Sequence, residues 1–255
     1  MRPWLVVVAL VGVAGAVALA LWVGAPPEAV LAPATPAAPV APPDALGGRP
    51  ASAAAIGETR GPRLLVPRAA TAPTLDGDLS DAAWLAGPAR TGALTATAGH
   101  PPYGDARLLW KDDVLYVALY AADEDIRAPR TGADEPLWLD DHFHLEVDGR
   151  GFDRSIDVSP RAVLTDGRRP EGIAGPLDYR WQSGARLEVE LDGTVDSGGD
   201  EADEEWVVEM ALPLAALDLA AEPGASTTLE VRRCDTPPGQ AHICASWRGS
   251  IELAP

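Results

Sequence analysis

The segment between residues 137 and 148 carries the side chains with the clearest binding chemistry. Its last seven residues alternate strictly between polar and apolar types: His142, Phe143, His144, Leu145, Glu146, Val147 and Asp148. A period of two predicts a strand with one buried face and one polar face. Trp138, Asp140 and Asp141 stand just before this strand, where loop ends of β-scaffolds commonly carry binding groups. The pattern indicates a binding module more clearly than an enzyme.

Catalysis finds little support in the same residues. Asp140 and Asp141 are neighbours and would point to opposite faces of an extended strand, which makes a poor acid–base pair. The sequence also contains no nucleophile elbow, phosphate-binding loop or dinucleotide-binding fingerprint. His142, His144 and Glu146 would share one strand face, with successive Cα atoms about 7 Å apart. They could hold a transition metal, although a solvated polar face is the simpler interpretation.

Acidic loops raise a second metal hypothesis. Calcium takes oxygen ligands from such loops, so a structural calcium ion is the cofactor that these loops lead us to consider. The candidate ligands are Asp76, Asp78, Asp123 and Asp125, followed by the neighbouring pair Asp140 and Asp141. The alternative is that these carboxylates only keep the protein soluble.

The charge of the whole chain limits its partners. The sequence has 255 residues and a formal net charge of −18, with nearly all acidic residues beyond residue 75. Nucleic acid is excluded, because phosphate binding needs clustered lysine and arginine. Electrostatic binding to anionic lipid is excluded for the same reason. Neutral ligands and cations remain compatible with this charge.

The N-terminal part is predicted to lie outside the folded domain. Residues 1–25 place one positive charge before an apolar run that is long enough for a membrane-spanning helix. They form either an uncleaved signal anchor or a cleaved signal peptide. Residues 26–62, rich in Pro and Ala, predict a disordered linker. Residues 63–255 would then be one exported domain, held at the membrane in the periplasm or at the cell surface, or secreted if the segment is cleaved.

Export would place the two cysteines of the chain in an oxidising compartment. Cys234 and Cys244 flank a turn that contains Pro237 and Gly239. In an oxidising compartment, a disulfide across a hairpin is the natural interpretation. Two buried free thiols are the alternative. A metal site with His242 lacks a fourth ligand in the sequence.

Short strands separated by turn residues make up the remainder of the domain. The predicted strands cover residues 64–66, 107–111, 114–120, 143–148, 152–158, 186–191, 206–212, 227–233 and 242–247. Helical turns are predicted at residues 81–85, with Ser80 as N-cap, and at 213–217, with Pro213 as first residue. Many strands with almost no helix predict an all-β fold, an antiparallel β-sandwich.

Five motifs, taken together and in order, resemble the carbohydrate-binding modules of family nine, within the DOMON-like superfamily. They are Leu75–Trp84, Leu108–Val117, Asp140–Asp148, Trp206–Leu214 and Ser246–Trp247. The resemblance covers roughly residues 64–253 and implies a jelly-roll β-sandwich that binds sugars at chain ends and is not catalytic. In the family, two Trp side chains sandwich the sugar, and Trp138 matches the first of them.

The departures from the family concern its sugar contacts. His144 replaces a sugar-contacting Glu, while Asp157 and Ser159 stand where the family places Arg and Asn. The second family Trp lies beyond the position of Trp247, so half of the clamp is expected to be missing here. Trp181, in a polar stretch, is the candidate replacement. Some relatives bind haem through Met and Lys, but Lys111 and Met210 do not fall at the expected positions.

Two hypotheses follow from this reading. The first is a carbohydrate-binding module without activity of its own, an accessory to glycoside hydrolases at most, which binds the end of a polysaccharide or oligosaccharide. Its candidate ligand-binding residues are Trp138, His144, Asp157, Ser159 and Trp181. The second is an envelope module that has lost sugar binding and docks another protein. Both would contact the membrane only through the N-terminal segment.

Overall fold

The computed structural model describes residues 61–149, 151–198, 203–239 and 241–255. The predicted signal segment 1–25 and the linker up to residue 60 lie outside the described residues. The N-terminal helix and the disordered linker therefore stay predictions. In the described part of the chain, no helix is long and apolar enough to cross a membrane.

Two β-sheets form the described domain. Their strands are β1 (Arg63–Val66), β2 (Ala89–Arg90), β3 (Gly104–Lys111), β4 (Val114–Ala122), β5 (His142–Asp148), β6 (Phe152–Val158), β7 (Leu164–Pro170), β8 (Arg186–Asp192), β9 (Glu205–Pro213), β10 (Ser226–Asp235) and β11 (Ile243–Leu253). The helical parts are α1 (Ala82–Leu85) and a 3-10 turn (Leu214–Leu217). This composition confirms the all-β prediction.

The order of the strands defines the two layers. Sheet A has the order β1-β11-β10-β5-β6-β7, and sheet B has the order β2-β3-β4-β9-β8. Neighbouring strands run antiparallel, except that β1 runs parallel to β11, with Arg63 beside Ser250 and Val66 beside Leu253. The first strand thus departs from the purely antiparallel expectation.

Alternating apolar residues of both sheets fill one core. On β5, Phe143, Leu145 and Val147 point into it, as the period of two predicted. The rings of Phe143 and Trp206, which belong to opposite sheets, meet edge to face with centroids 5.0 Å apart. Burial of this apolar surface is the main term that stabilises a sandwich. Since Phe143, Leu145 and Val147 point inward, the polar residues of β5 face outward.

The segment that runs from β1 to α1 covers the outer face of sheet B. Trp84 is buried there against Leu109 and Tyr116. The carboxylate of buried Glu209 holds the segment in place, because Oε1 accepts a hydrogen bond from the Trp84 indole (2.5 Å) and Oε2 accepts one from the Gly77 N–H (2.7 Å). Sheet B therefore has a second small core on its outer side. The outer face of sheet A is instead polar and half-buried.

Strand β7 was missed by the sequence analysis, and its composition explains why. The sequence from Leu164 to Pro170 shows no apolar alternation. Buried Asp166 accepts hydrogen bonds from the N–H (2.7 Å) and hydroxyl of Ser183. The Arg168 guanidinium lies 4.5 Å from the centroid of the Phe152 ring. Specific polar partners replace apolar burial here, so the period of two is hidden.

The two helical turns exist, but their predicted first residues were wrong. Asp81, and not Ser80, is the N-cap of α1. The Ser80 hydroxyl is engaged elsewhere, since it donates a hydrogen bond to the Asp78 carboxylate (2.7 Å). Pro213 is the N-cap of the 3-10 turn, which begins at Leu214. Local side-chain bonds of Ser and Asp compete with capping in this way.

Candidate functional site

The register of sheet A gathers charged side chains on its outer face. His144 of β5 lies opposite Asp157 of β6 and Arg232 of β10. Glu146 lies opposite Ser155 and Glu230 in the next row. We call this surface the polar face and define it by His144, Glu146, Ser155, Asp157, Arg169, Glu230, Arg232 and Arg248.

His144 is the electrostatic centre of the polar face. Its Nδ1 lies 2.6 Å from Asp157 Oδ1, and its Nε2 lies 3.8 Å from Glu146 Oε2. Burial favours the neutral ring, but the two carboxylates outweigh it and raise the pKa of His144 to about 9. The hydrogen bond with His144, helped by Arg169, lowers the pKa of Glu146 to about 2. At neutral pH the face holds an imidazolium between two carboxylates.

Arginines compensate the remaining carboxylates of the polar face. Arg232 Nη2 lies 2.7 Å and Arg248 Nη1 lies 3.0 Å from the Glu230 carboxylate. Arg169 Nη2 lies 3.4 Å from Glu146. Charged donors and acceptors are therefore fixed in pairs across five strands. Such an array offers hydrogen bonds at defined positions to the hydroxyl groups of a ligand.

Trp138 stands in a turn before β5, with 38% of its surface exposed. The loop before it is tied to β7, because the Thr165 hydroxyl donates to the Glu135 carbonyl (2.5 Å) and the Asp134 N–H donates to the Leu164 carbonyl (3.2 Å). Thr165 lies opposite Asp157 in the sheet register. The loop that leads to Trp138 is thus tied to β7, and the Trp138 side chain is partly accessible to solvent.

The loop of Trp181 approaches the same region. A shallow depression of about 310 Å³ is lined by Thr131, Ala133 and Asp134 from the loop that precedes Trp138, by Arg161–Leu164, and by Gln182. Trp181 itself is half-buried. The loops that carry the two predicted aromatic platforms therefore come together around the β6–β7 turn.

Tyr179 is an aromatic side chain to which the sequence analysis gave no role. It is 44% exposed. A Cβ atom on Gly167 would lie 3.2 Å from the Tyr179 ring, and Gly167 lies opposite Ser155 of the polar face. The ring therefore covers β7 beside Ser155. Only the pairing of β7, which was not predicted, reveals this position.

Ser159 lies at the end of β6 and is fully buried. Its hydroxyl accepts a hydrogen bond from the Arg161 N–H (3.3 Å), and its own N–H donates to the Val163 carbonyl (3.1 Å). It supports the β6–β7 turn in this structure and presents no surface to a ligand. His144 and Asp157, by contrast, both lie on the polar face.

The transition-metal hypothesis for His142, His144 and Glu146 does not fit the geometry. His142 is buried, its Nδ1 lies 2.8 Å from the Asp140 carbonyl oxygen, and burial lowers its pKa. Among the described residues, no metal-ligating cluster includes this trio. The two cysteines form the predicted Cys234–Cys244 disulfide, which pairs β10 with β11 and removes their thiolates as ligands.

The calcium candidates fall into two different environments. Asp76 and Asp78 are exposed, and they accept hydrogen bonds from the N–H groups of Asp78 (3.0 Å) and Ser80 (2.9 Å), as in a local turn. Asp125 is buried and pairs with Arg127. Asp123 is buried and belongs to a cluster with Asp141 and Asp235, which the sequence did not bring together.

The buried carboxylates of Asp123, Asp141 and Asp235 repel one another. Burial, followed by the charges of Asp123 and Asp235, raises the pKa of Asp141 to about 8. Burial also raises the pKa of Asp235 to about 6, and Asp123 adds to the shift. Asp140, the neighbour of Asp141, instead pairs with Arg130 and holds the loop before β5. The two adjacent carboxylates therefore have separate structural environments.

Comparison with solved structures identifies the architecture. A family-nine carbohydrate-binding module from Caldicellulosiruptor kristjanssonii, solved with cellotriose, superposes with a TM-score of 0.53 over 76% of this chain and 94% of its own, at 15% identity. The chain has the fold of this family. The same kind of module from that organism, solved with glucose, gives a TM-score of 0.51 over 75% of this chain and 95% of its own, at 15% identity.

A third neighbour comes from Bacteroides uniformis and is described provisionally as carbohydrate-binding. It superposes with a TM-score of 0.59 over 76% of this chain and 99% of its own, at 14% identity. No protein-family model matches this chain, and no curated protein sequence does. The predicted family-nine fold is thus confirmed by structure, at a level of identity that shows the fold alone.

Proposed function

We propose that this protein is a non-catalytic carbohydrate-binding module that holds the end of a polysaccharide or oligosaccharide on its polar face. The observation that carries the proposal is the charge-compensated array around His144 on β5, and exposed Trp138 stands in the turn that leads into the same strand. Sugars have apolar ring faces that stack on aromatic rings, and hydroxyl groups that need fixed polar partners. The structural neighbours solved with cellotriose and glucose support this choice of ligand class.

The same reasoning assigns roles to the residues. Trp138 would stack on one sugar ring face, while His144 and Asp157 would hydrogen-bond its hydroxyl groups. Trp181 and Tyr179 are the aromatic candidates for a second stacking contact, since both belong to the loop that folds along β7. The N-terminal sequence and the disulfide support display outside the cytoplasmic membrane, because disulfides persist in oxidising compartments.

The proposal is tested by a glycan-array screen of the full-length chain in mild detergent, beside the Trp138→Ala variant. Removing a stacking aromatic should weaken binding at least tenfold, which is about 1.4 kcal/mol. Leu139→Ala is the matched control, since Leu139 is the neighbouring exposed apolar residue (61% exposed) and lacks an aromatic face. Equal losses in both variants would argue against stacking.

A protein-docking role is the second candidate function. Trp138 and Leu139 are adjacent, exposed and apolar, which also suits a protein partner. In that case the array stays silent for the wild-type chain, and cross-linking in intact cells captures one partner through a photoreactive residue at position 139. Sugar binding that depends on Trp138 would exclude this alternative as the primary role.

A further inference from the structure

Four metal-ligating side chains meet where β5, β10 and β11 lie side by side. Cys234 of β10 lies directly opposite His142 of β5 on one side and Cys244 of β11 on the other. Directly opposite residues of antiparallel strands point to the same face of the sheet. His242 lies just before the first residue of β11. The strand register brings His142 to the cysteines, so the fold supplies the fourth ligand that the sequence did not reveal.

The ligand atoms of this group are already close together. His242 Nε2 lies 3.9 Å from Cys244 Sγ, and ligand atoms of Cys234, His242 and Cys244 all lie within 4.8 Å of one another. The rings of His142 and His242 are stacked, with centroids 6.4 Å apart. Two imidazoles on one tetrahedral zinc ion have ring centres about 5 Å apart, so metal binding draws these rings together by roughly 1 Å. His242 is exposed and stands outside the strand, which leaves space for this movement.

Hydrogen bonds hold both imidazole rings in a state that suits a metal. His142 Nδ1 lies 2.8 Å from the Asp140 carbonyl oxygen. Since a carbonyl oxygen only accepts hydrogen bonds, Nδ1 of a neutral ring carries the proton and Nε2 keeps its lone pair. His242 Nδ1 lies 2.9 Å from the Thr236 hydroxyl, while its Nε2 lies near Cys244. Metal-bound histidines are commonly oriented by such an oxygen partner on the second ring nitrogen.

We infer that the reduced form of this protein binds one zinc ion through Cys234, Cys244, His142 and His242. Two thiolates and two imidazoles are a common donor set of structural zinc sites, with bonds of about 2.3 Å to sulfur and about 2.0–2.1 Å to nitrogen. Sulfur and nitrogen ligands do not suit magnesium or calcium. The disulfide and the zinc site exclude each other, because the same two sulfur atoms form both. Zinc binding is separate from sugar binding.

The exposure of Cys244 makes the reduced form accessible. Cys244 is exposed and Cys234 is buried, so an external thiolate attacks the sulfur of Cys244 and releases Cys234 as the leaving thiolate. With a dithiol reductant, its second thiol then releases Cys244, and the reductant departs as its own disulfide. The protein gains two electrons and two protons in this exchange, and zinc displaces both protons when it binds. Either cross-link ties the end of β10 to the start of β11.

The experiment measures binding of cobalt(II), a spectroscopic substitute for zinc, to the full-length chain in mild detergent. The chain is compared in its oxidised form and after reduction by a phosphine without oxygen. The phosphine yields the same two thiols and becomes its oxide, with oxygen and protons from water, and it brings no thiol that competes for the metal. Reduced chain should bind one cobalt ion with thiolate-to-metal charge-transfer bands, which added zinc removes. Oxidised chain should show no such bands.

Two variants test the ligand set. His142→Gln and Cys244→Ser should each weaken cobalt binding at least about tenfold, because each removes one ligand from the metal. Cys244→Ser should also weaken the charge-transfer bands, since only one thiolate remains. The control is His100→Gln, which changes an exposed histidine outside the group and should leave spectrum and affinity intact.

Three results would overturn the zinc site. They are the absence of thiolate bands in the reduced wild type, wild-type affinity in His142→Gln, and a loss in His100→Gln equal to that in His142→Gln. Should His142→Gln fail to fold, as judged by circular dichroism, His242→Gln at its exposed position supplies the test of the imidazole ligands. Unchanged cobalt affinity in that variant would then contradict the site.

Discussion

At the scale of single residues, His144 has the most specific environment on the polar face. The sequence correctly placed it on the outward side of β5, opposite the apolar residues. Its ion pair with Asp157 depends on the register between β5 and β6, which the alternation of each strand alone does not fix, whereas Glu146 lies two residues further along β5 itself. The raised pKa of His144 is the measurable consequence of that register.

Replacing His144 by Gln should change how stability depends on pH. The folded-state pKa of His144, about 9, exceeds its ordinary value of 6.5, so the stabilisation is complete below pH 6.5 and is lost as pH rises through about 9. The difference in free energy of unfolding between wild type and variant should shrink by roughly 2–3 kcal/mol between pH 6 and pH 10. Urea unfolding at several pH values measures this. A difference that stays constant over the range would contradict the ion pairs.

At the scale of elements, the strands and the hairpins were largely predictable and the packing of loops was not. Alternating polar and apolar residues predict strands β5 and β8, and Asp112 and Asp113 predict the turn between β3 and β4. Strand β7 was hidden because polar partners stabilise its buried Asp166. Because β7 was not predicted, the position of Tyr179 and one side of the polar face were not predicted either. The aromatic surroundings of the site could therefore not be deduced.

The segment between β1 and α1, which covers the outer face of sheet B, provides a test at this scale. Glu209→Gln keeps the shape of the side chain but replaces one acceptor oxygen by an amide that cannot accept from its N–H donors. We expect a loss of about 1–3 kcal/mol in unfolding free energy and faster proteolysis within residues 67–86. Sugar binding on sheet A should persist at unchanged affinity in the native protein, which separates the two faces.

The reverse outcome is also informative for this variant. Loss of sugar binding at full native content, judged by circular dichroism, would show that the cover and the polar face are coupled. The matched control is Glu188→Gln, because Glu188 lies opposite Glu209 in the register of β8 and β9 and belongs to the same face of the same sheet. It makes none of the hydrogen bonds described for Glu209.

At the scale of the whole molecule, a net charge of −18 sets the long-range field. Arginines neutralise the polar face locally, yet an approaching ligand experiences the total charge at low salt. We therefore expect neutral sugars to bind with affinities that change less than about twofold between 50 and 500 mM NaCl. Oligosaccharides of uronic acids should bind more weakly at low salt and gain affinity as salt screens the repulsion.

Calorimetric titrations of one neutral and one acidic oligosaccharide of equal length at two salt concentrations check this expectation. Tighter binding of the acidic sugar at low salt would mean that partly exposed arginines, such as Arg232, dominate the site. In that case the ligand class would be anionic, and the ion pairs on the polar face would open on binding.

The parallel pairing of β1 with β11 has a mechanical consequence. Since the two strands run in the same direction, the start of β1 and the end of β11 lie at opposite ends of the pair. Tension between the chain before β1 and the chain after β11 then pulls the strands past each other along their length. All inter-strand hydrogen bonds share such a shear load at once, whereas an antiparallel terminal pair would open bond by bond. The β1–β11 pair should therefore resist tension applied between the two ends of the domain.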